Sequence, residues 1–230
     1  MAKVFIGVGH GGSDPGAVAN GFKEKDLNLA IALACNDELV KHGVTTMMSR
    51  AKDENDTLNE ECRECNAFRP DLAVDIHNNA GGGDGAEALH HHGGGKGKTL
   101  AENILAEVVK TGQNSRGCKT RKNSAGKDYY GFIRLTNAPA VIVECAFVDN
   151  KKDIQIIDTA AEQKAMGIAI AKGILKTLGI EHKTPVVEST PVSNKIYRVQ
   201  VGAFKNKSNA DNTLKAVKAA GFTDAIIVEA

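Results

Sequence analysis

Tryptophan is absent from this chain of 230 residues, and aromatic residues of all kinds make up only 4% of it. Proteins that stack nucleic-acid bases present several exposed aromatic rings, so the composition argues against that function. The formal net charge is +1, which gives no bulk electrostatic attraction to nucleic acid or to an anionic membrane surface. We therefore expect neither nucleic acid nor a membrane among the partners of this chain.

Long apolar runs are also missing. No run approaches the ~20 residues that a membrane-spanning helix requires. The N-terminal segment MAKVFIGVGHGG lacks the apolar core and the small-residue cleavage site of a signal peptide. These features predict synthesis in the cytoplasm without export by that route. The five cysteines are odd in number and irregularly spaced, which predicts reduced thiols rather than a disulfide framework.

The first 180 residues instead alternate between apolar strand patterns and helical patterns. Continuous apolar runs, of which AVIVECAF is the strongest, are typical of strands that are covered on both faces. The alternation predicts an α/β fold with a largely parallel sheet. The predicted strands are residues 3–8, 44–49, 72–76, 86–92 and 140–147, and the predicted helices are residues 24–42, 57–68, 100–111 and 160–178.

The composition changes after residue 180. Residues 181–195 carry two prolines and many polar side chains, which is typical of a linker. Residues 196–230 then read as a β-α-β unit: the strand IYRVQVGAF, a helix over residues 208–220 and the strand AIIV. The sequence therefore predicts a main domain over residues 1–180 and a small C-terminal unit that is too short to bury a core by itself.

Reactive side chains stand near the carboxyl ends of three predicted strands. His10 follows the first strand within the glycine-rich stretch VGHGGSDPGA, His77 follows DLAVDI, and Glu144 lies near the end of AVIVECAF. The ligand crevice of an open α/β sheet lies outside the carboxyl ends of its strands. We therefore expect these three groups to meet there, and Glu24, at the start of the first long helix, can face the same place.

This combination of residue types suits metal-dependent hydrolysis. Two histidines and one carboxylate form a common catalytic zinc site, with water in the fourth position. A second carboxylate that is not bound to the metal can then act as general base and general acid. A carboxylate inside an apolar strand is costly to bury unless it is paired. Glu144 is therefore poorly explained by a purely structural role.

The motifs around these residues, in this order, resemble those of the zinc-dependent N-acetylmuramoyl-L-alanine amidases of the type 3 fold. The resemblance spans residues 3–178 and implies a twisted, mostly parallel sheet flanked by helices. It also implies Zn²⁺ bound by His10, Glu24 and His77, with Glu144 as the catalytic carboxylate, and a substrate amide between N-acetylmuramic acid and L-alanine of peptidoglycan. The segments that carry it are GHGGSDPGA, NGFKEKDLNLAIA, Ser49-Arg50 with Asp53, DIHNNA, GAEALHHH and NAPAVIVECAFVDN.

Several neighbouring residues have two interpretations. Cys145 departs from the family pattern, and we favour a buried packing role over a thiol near zinc. Cys62 and Cys65 lie one helical turn apart and would make only half of a structural zinc site, so we interpret them as helix packing positions. Asn78 and Asn79 either orient substrate or end a strand, and we favour turn residues.

Two polar runs complete the candidates. His90–His92 would alternate between faces on a strand, so a site made of all three histidines is not expected. The stretch Arg116–Lys119 and the pair Tyr129–Tyr130 are expected to lie in loops that border the groove, where they could contact glycan or peptide.

The C-terminal stretch from Tyr197 resembles one repeat of the sporulation-related (SPOR) peptidoglycan-binding domain, which contains two β-α-β repeats when complete. A single half would leave strand edges unpaired and a helix face uncovered. We therefore expect a homodimer in which each chain contributes one half of a composite wall-binding module, and the alternative is a stub that stays partly disordered.

The resulting expectation is a cell-wall amidase, of the kind found in phage or prophage endolysins, that reaches the wall through a holin or after lysis. A mother-cell sporulation autolysin of the same activity is the alternative. A zinc peptidase or deacetylase acting on another wall bond, and a peptidoglycan-binding protein that does not cut, are the remaining ones.

Overall fold

The computed structural model describes residues 1–183 and 200–229. The chain divides into two compact units, residues 1–184 and residues 185–230. This boundary falls inside the linker predicted at residues 181–195, most of which lies outside the described residues. The exact domain limits inferred from the sequence therefore stay predictions.

A six-stranded sheet forms the centre of the larger unit. The strands of this unit are β1 (Lys3–Val8), β2 (Val18–Ala19), β3 (Phe22–Lys23), β4 (Thr45–Met48), β5 (Leu72–Asn79), β6 (Ala86–His90), β7 (Ser115–Lys119) and β8 (Ala140–Phe147). The order in the sheet is β4-β1-β5-β8-β6-β7, while β2 and β3 form a separate hairpin. The first four strands are parallel, and β6 and β7 run in the opposite direction. The predicted α/β fold with a mostly parallel sheet is confirmed.

Helices cover both faces of this sheet. They are α1 (Glu24–Lys41), α2 (Leu58–Phe68), α3 (Lys96–Val108), α4 (Gly131–Leu135) and α5 (Ala160–Leu178). Alternate residues of a strand point to opposite faces. Val4 and Ile6 accordingly pack with α1, α3 and α5, while Phe5 packs with α2 and α4. In the described part of the chain, no helix is both long enough and apolar enough to cross a membrane.

The thin cover on the second face leaves room for a site. Helices α2 and α4 have only 11 and 5 residues. They pack over Ala73 of β5 and its register partner Ala140 of β8. Four residues further along, on the same face, His77 pairs in register with Glu144. The carboxyl ends of β5 and β8 therefore project past the short helices into an open groove.

Three features differ from the sequence-based expectation. Strand β5 continues to Asn79, so His77 lies within the strand rather than after it. Strand β6 ends at His90 and runs antiparallel to β8. Strand β7 was not predicted, because SRGCK is a short polar edge strand without an apolar alternation.

The smaller unit contains one helix, α6 (Lys207–Ala219), close to the predicted residues 208–220. Among residues 200–206 and 220–229 the structure has no strand, so the predicted β-α-β unit is wrong for the described residues. The first four residues of the strand predicted at 196–204 lie outside them. A lone strand has no partner edge to satisfy its backbone hydrogen bonds, and residues 200–229 of this unit offer none.

Candidate active site

The glycine-rich loop after β1 brings His10 against His77. His10 has φ = 62°, a left-handed conformation that is costly for a residue with a Cβ. A Cβ at Gly9 would lie 2.1 Å from the His77 ring, so only glycine allows the backbone to pass there. The two imidazole centroids are 5.1 Å apart. The loop is rich in glycine because its backbone must lie directly against the ring of His77.

Glu24, the first residue of α1, lies between the two histidines and is only 4% exposed. Its carboxylate accepts hydrogen bonds from the backbone N–H of Ala17 (2.9 Å) and of Asn78 (3.1 Å). The Asn78 side chain donates to Asn28 (2.8 Å), which in turn donates to the Gly9 carbonyl (2.9 Å). The turn interpretation of Asn78 is therefore wrong, because the residue lies in β5 and holds Glu24 in place. Asn79 is likewise a strand residue.

His10, Glu24 and His77 place their ligating atoms within 4.8 Å of one another. His10 Nε2 lies 3.2 Å from Glu24 Oε2, and His77 Nδ1 lies 3.1 Å from Glu24 Oε1. The structure thus brings together the three residues that were expected to hold a metal ion.

Both nitrogens of each imidazole face a carboxylate oxygen. On the side away from Glu24, His10 Nδ1 lies 2.8 Å from Asp14 Oδ2, and His77 Nε2 lies 3.2 Å from Asp75 Oδ2. A carboxylate can only accept, so the geometry without a metal favours the protonated form of both rings. A metal ion bound beside Glu24 would replace the protons on His10 Nε2 and His77 Nδ1, while Asp14 and Asp75 would keep the protons on the other two nitrogens. Histidines that bind metals typically have this carboxylate support on the other nitrogen.

Two further groups in the described residues satisfy the distances for a metal site. In these groups, however, backbone hydrogen bonds take up imidazole nitrogens that a metal site would need. They are Glu38 with His42 and His182, and His91 with His92 and Asp128. His42 donates from Nδ1 to the Glu38 carbonyl (2.8 Å) and accepts the Lys183 N–H at Nε2 (3.0 Å), so both nitrogens are occupied. His91 accepts the Gly93 N–H at Nδ1 (2.9 Å), which leaves the proton on the nitrogen facing Asp128. Both groups are therefore satisfied as hydrogen-bonded structure.

The electrostatics of the group formed by His10, Glu24 and His77 suit a cation. Burial acts to raise the pKa of Glu24, but the hydrogen bonds from His10 and His77 outweigh it and hold the pKa well below its usual range. The hydrogen bond to Glu24 raises the pKa of His10. Burial acts to lower the pKa of His77, but the charge of Asp75 and the hydrogen bonds to Asp75 and Glu24 raise it well above normal. The group therefore favours positive charge beside a buried carboxylate.

Glu144 lies one strand spacing, about 5 Å, from His77 on the same face of the sheet. Its Oε2 atom is buried and has no hydrogen-bond partner among the described residues. Burial raises the pKa of Glu144 to about 7. A carboxylate with that pKa beside an open groove can take and return a proton near neutral pH.

The comparison with known proteins now decides the family. The sequence profile of the N-acetylmuramoyl-L-alanine amidase family matches residues 4–176. The chain belongs to this family. The predicted activity of an amidase that acts on peptidoglycan is confirmed.

Relatives of this amidase act in different settings. It is 32% identical over 233 residues to the sporulation-specific N-acetylmuramoyl-L-alanine amidase of Bacillus subtilis (strain 168), covering 100% of this chain and 86% of the relative. It is 32% identical over 228 residues to the endolysin of Bacillus phage SPP1, covering 93% and 80%. The catalytic domain of CwlV, an N-acetylmuramoyl-L-alanine amidase from Bacillus (Paenibacillus) polymyxa var. colistinus, superposes with a TM-score of 0.71 at 26% identity, over 79% of this chain and 100% of that domain.

The C-terminal part also matches a known profile. The SPOR domain profile matches residues 168–229, which confirms the resemblance of the small unit to that domain. The match begins inside α5, earlier than the half repeat predicted from residue 196.

Three residues that support the amidase site were missed by the sequence analysis: Asp14, Asp75 and Glu61. Asp75 had a usable signal, since it lies two residues before His77 and so on the same face of the strand. Glu61 lies behind it, and burial together with the charge of Asp75 raises the pKa of Glu61 well above normal. Asp75 therefore lies between the buried Glu61 carboxyl and the His77 ring, whose Nε2 it faces at 3.2 Å.

The cysteines near the site are packing residues, as the sequence suggested. Cys145 is completely buried in the core formed with α1, α3 and α5, on the face opposite Glu144. Cys62 and Cys65 lie on α2 and are buried in the smaller core on the other face of the sheet. Burial raises the pKa of all three thiols, so they are protonated at neutral pH.

Replacing Asp75 tests the support of His77. In Asp75→Asn the charged acceptor for the Nε2 proton is lost, so we expect the affinity for added Zn²⁺ to fall about 10- to 100-fold in competition with a chelator. Asp14→Asn is the matched control: Asp14 is 65% exposed, so water can replace it and the loss is smaller. An Asp75→Asn variant that binds Zn²⁺ as tightly as the parent would contradict this assignment.

The raised pKa of Glu144 predicts a pH-dependent stability of the metal-free enzyme. Folding favours the protonated carboxyl of Glu144. The free energy of unfolding therefore keeps its full value below pH 4.5 and falls by about 3 kcal/mol as the pH rises from there through about 7. Glu144→Gln removes this loss. We expect the variant to melt at a higher temperature than the parent at pH 8 in the presence of chelator, with the difference vanishing towards pH 4.5. An equal difference at both pH values would show that Glu144 is not desolvated.

Proposed function

We propose that this amidase uses Zn²⁺ held by His10, Glu24 and His77, with Glu144 as the catalytic carboxylate, to cleave the bond between N-acetylmuramic acid and L-alanine. The observation that supports this most strongly is that His10 Nε2 and His77 Nδ1 lie 3.2 and 3.1 Å from the two oxygens of the buried Glu24 carboxylate, while carboxylates also face the opposite nitrogen of each ring. Two histidines and one carboxylate are a donor set that suits zinc and leaves a coordination position open.

A zinc ion at this position supplies a Lewis acid that polarises the amide carbonyl and acidifies the attacking water. The other steps belong to residues of the chain. Glu144 takes the proton from the attacking water and delivers it to the departing alanine nitrogen. Its unpartnered Oε2 and its pKa of about 7 suit both proton transfers. Asp75 and Asp14 keep the two imidazoles in the tautomers that face Glu24.

The division between metal ligands and catalytic carboxylate is tested with Glu144→Gln. We expect the parent to release free L-alanine amino groups from purified peptidoglycan without new glycan reducing ends. Because Glu144 does not ligate the metal, the variant keeps the metal content of the parent and loses at least about 100-fold in rate, the size of a general-base contribution.

A variant that loses its metal would make Glu144 a ligand and contradict this mechanism. New reducing ends, or release of another bond, would assign a different wall hydrolase. A zinc-loaded parent that cuts nothing would favour a peptidoglycan-binding protein instead.

The biological setting that we propose is lysis of the cell wall by a phage or prophage endolysin. The relative from phage SPP1, which is named an endolysin, aligns with 93% of this chain and supports the proposal. The sporulation-specific relative supports the alternative of an autolysin. Digestion of vegetative walls and of spore cortex by the purified enzyme separates the two, since an endolysin must cut vegetative walls efficiently.

We further propose a homodimer through the C-terminal unit. The described residues 200–229 bury no side chain, and six large apolar residues in them are exposed. They are Val201, Phe204, Phe222, Ile226, Ile227 and Val228, with exposures of 66%, 46%, 68%, 76%, 39% and 59%. A second half repeat would cover them and supply the partner edge that a strand in this unit needs.

The dimer is tested by mass in solution together with hydrogen exchange. We expect about twice the 24.3 kDa chain mass and protected amides in residues 196–228. Phe222→Ser, which removes an apolar contact, should shift the mass towards the monomer. A monomeric parent with protected amides in this segment would show that the unit folds without a partner chain.

A further inference from the structure

The groove of the amidase continues along the sheet beyond Glu144. Glu87 of β6 pairs in register with Glu144 of β8, and both lie on the face that carries α2 and α4. The next strand, β7, forms the edge of the sheet. His77, Glu144 and Glu87 thus form one row of side chains across neighbouring strands, and the row ends at β7.

Two cations of β7 close this row. Arg116 Nε donates to Glu87 Oε2 (2.8 Å), and Lys119 Nζ donates to the same oxygen. The Arg116 guanidinium also lies 4.9 Å from the centroid of Phe147, which fixes its plane. Both side chains remain partly exposed, at 36% and 39%. Two positive charges therefore share one carboxylate, and one positive charge is left over at the rim of the groove.

The carboxylates described at the opposite end of the groove are paired instead. Asp14, which is 65% exposed, faces His10 at 2.8 Å, and Asp53, which is 49% exposed, forms an ion pair with Lys25 at 2.6 Å. An anionic part of a substrate is therefore attracted to the β7 end, and a neutral sugar fits the end near His10.

The spacing matches a peptide. Glu144 and β7 are separated by two strand spacings, about 10 Å. An extended peptide covers this distance in about three residues. The stem peptide of peptidoglycan has a free carboxylate on its second residue, γ-linked D-glutamate, and in many walls another on its third residue, a diamino acid. Arg116 and Lys119 can bind such a group through charge-assisted hydrogen bonds.

We propose that Arg116 and Lys119 form a binding site for a stem-peptide carboxylate two or three residues beyond the scissile bond. This site sets the direction of the substrate, with peptide towards β7 and glycan towards His10. The inference rests on the proposed function, because it takes the scissile amide to lie at Glu144.

The test compares substrates that differ only in charge. N-acetylmuramoyl-L-alanyl-D-glutamate capped as the γ-methylamide carries only the second-residue α-carboxylate, and the γ-methylamide of the isoglutamine form carries an amide there and no carboxylate on its peptide. Tripeptides with and without an amidated diamino acid test the third-residue carboxylate. We expect at least one carboxylate form to be cleaved with a kcat/KM about 10- to 100-fold higher than its amide, mostly through KM.

Arg116→Gln with Lys119→Gln should reduce that preference to less than about threefold, and the preference is a ratio within one variant, so a general change in its rate cancels. Arg121→Gln is the matched control, since Arg121 also stacks on an aromatic ring, 3.8 Å from the Tyr129 centroid, and makes no described contact with Glu87. The control should keep the full preference. Equal cleavage of charged and amidated substrates by the parent would overturn the inference.

Binding measurements keep this test separate from the proposed function. The affinities of the Glu144→Gln enzyme for the same four ligands are measured by calorimetry, where no turnover is needed. A carboxylate preference that disappears in the Arg116 and Lys119 double variant supports the site even if the parent cuts none of the ligands. Absence of cleavage would then count against the proposed function alone, and absence of a preference in binding would overturn the inference alone.

Discussion

The buried carboxylate of Glu24 is the group around which the catalytic unit is organised. A charge that is 4% exposed is stable only if every side of it is satisfied. Here the backbone of Ala17 and Asn78 donates to it, and the imidazoles of His10 and His77 face its two oxygens. The left-handed His10, the bare Gly9 backbone and the extended end of β5 all serve this arrangement. Because the buried carboxylate of Glu24 needs positive charge or hydrogen-bond donors around it, the same arrangement favours binding of a cation.

The sheet separates stability from chemistry. The face that carries α1, α3 and α5 holds the larger apolar core, which includes Cys145. The other face has only α2 and α4, so its outer end stays open. There one row of side chains crosses the strands, from His77 through Glu144 and Glu87 to Arg116. Alternation along a strand lets β8 place Cys145 in the core and Glu144 in the groove at consecutive positions.

The sequence was informative at two kinds of position: where a charged residue would cost free energy to bury, and where the local apolar pattern is strong. A glutamate in AVIVECAF and histidines near strand ends indicated the site, and apolar runs indicated the strands. Supporting contacts that depend on the folded backbone were harder to find. Asp75 shares a strand face with His77 and could have been found, whereas nothing in the glycine-rich loop shows that Asp14 faces the ring of His10. Asn78 acts on Glu24 through its backbone, and β7 is too polar to read as a strand. The strands predicted in the small unit were wrong because a strand needs a partner edge, and the described residues of this unit contain none.

The most direct test is the structure of the protein crystallised with Zn²⁺, with anomalous scattering used to locate the ion. The hydrogen-bond geometry predicts a single zinc in the described part of the chain, bound by His10 Nε2, His77 Nδ1 and the Glu24 carboxylate at about 2.0–2.2 Å. The Glu144 carboxylate should face the open coordination position without binding the metal. Zinc bound instead by His91 with His92, or by His42 with His182, would contradict this assignment of the ligands, and zinc bound by Glu144 would contradict its role as proton carrier.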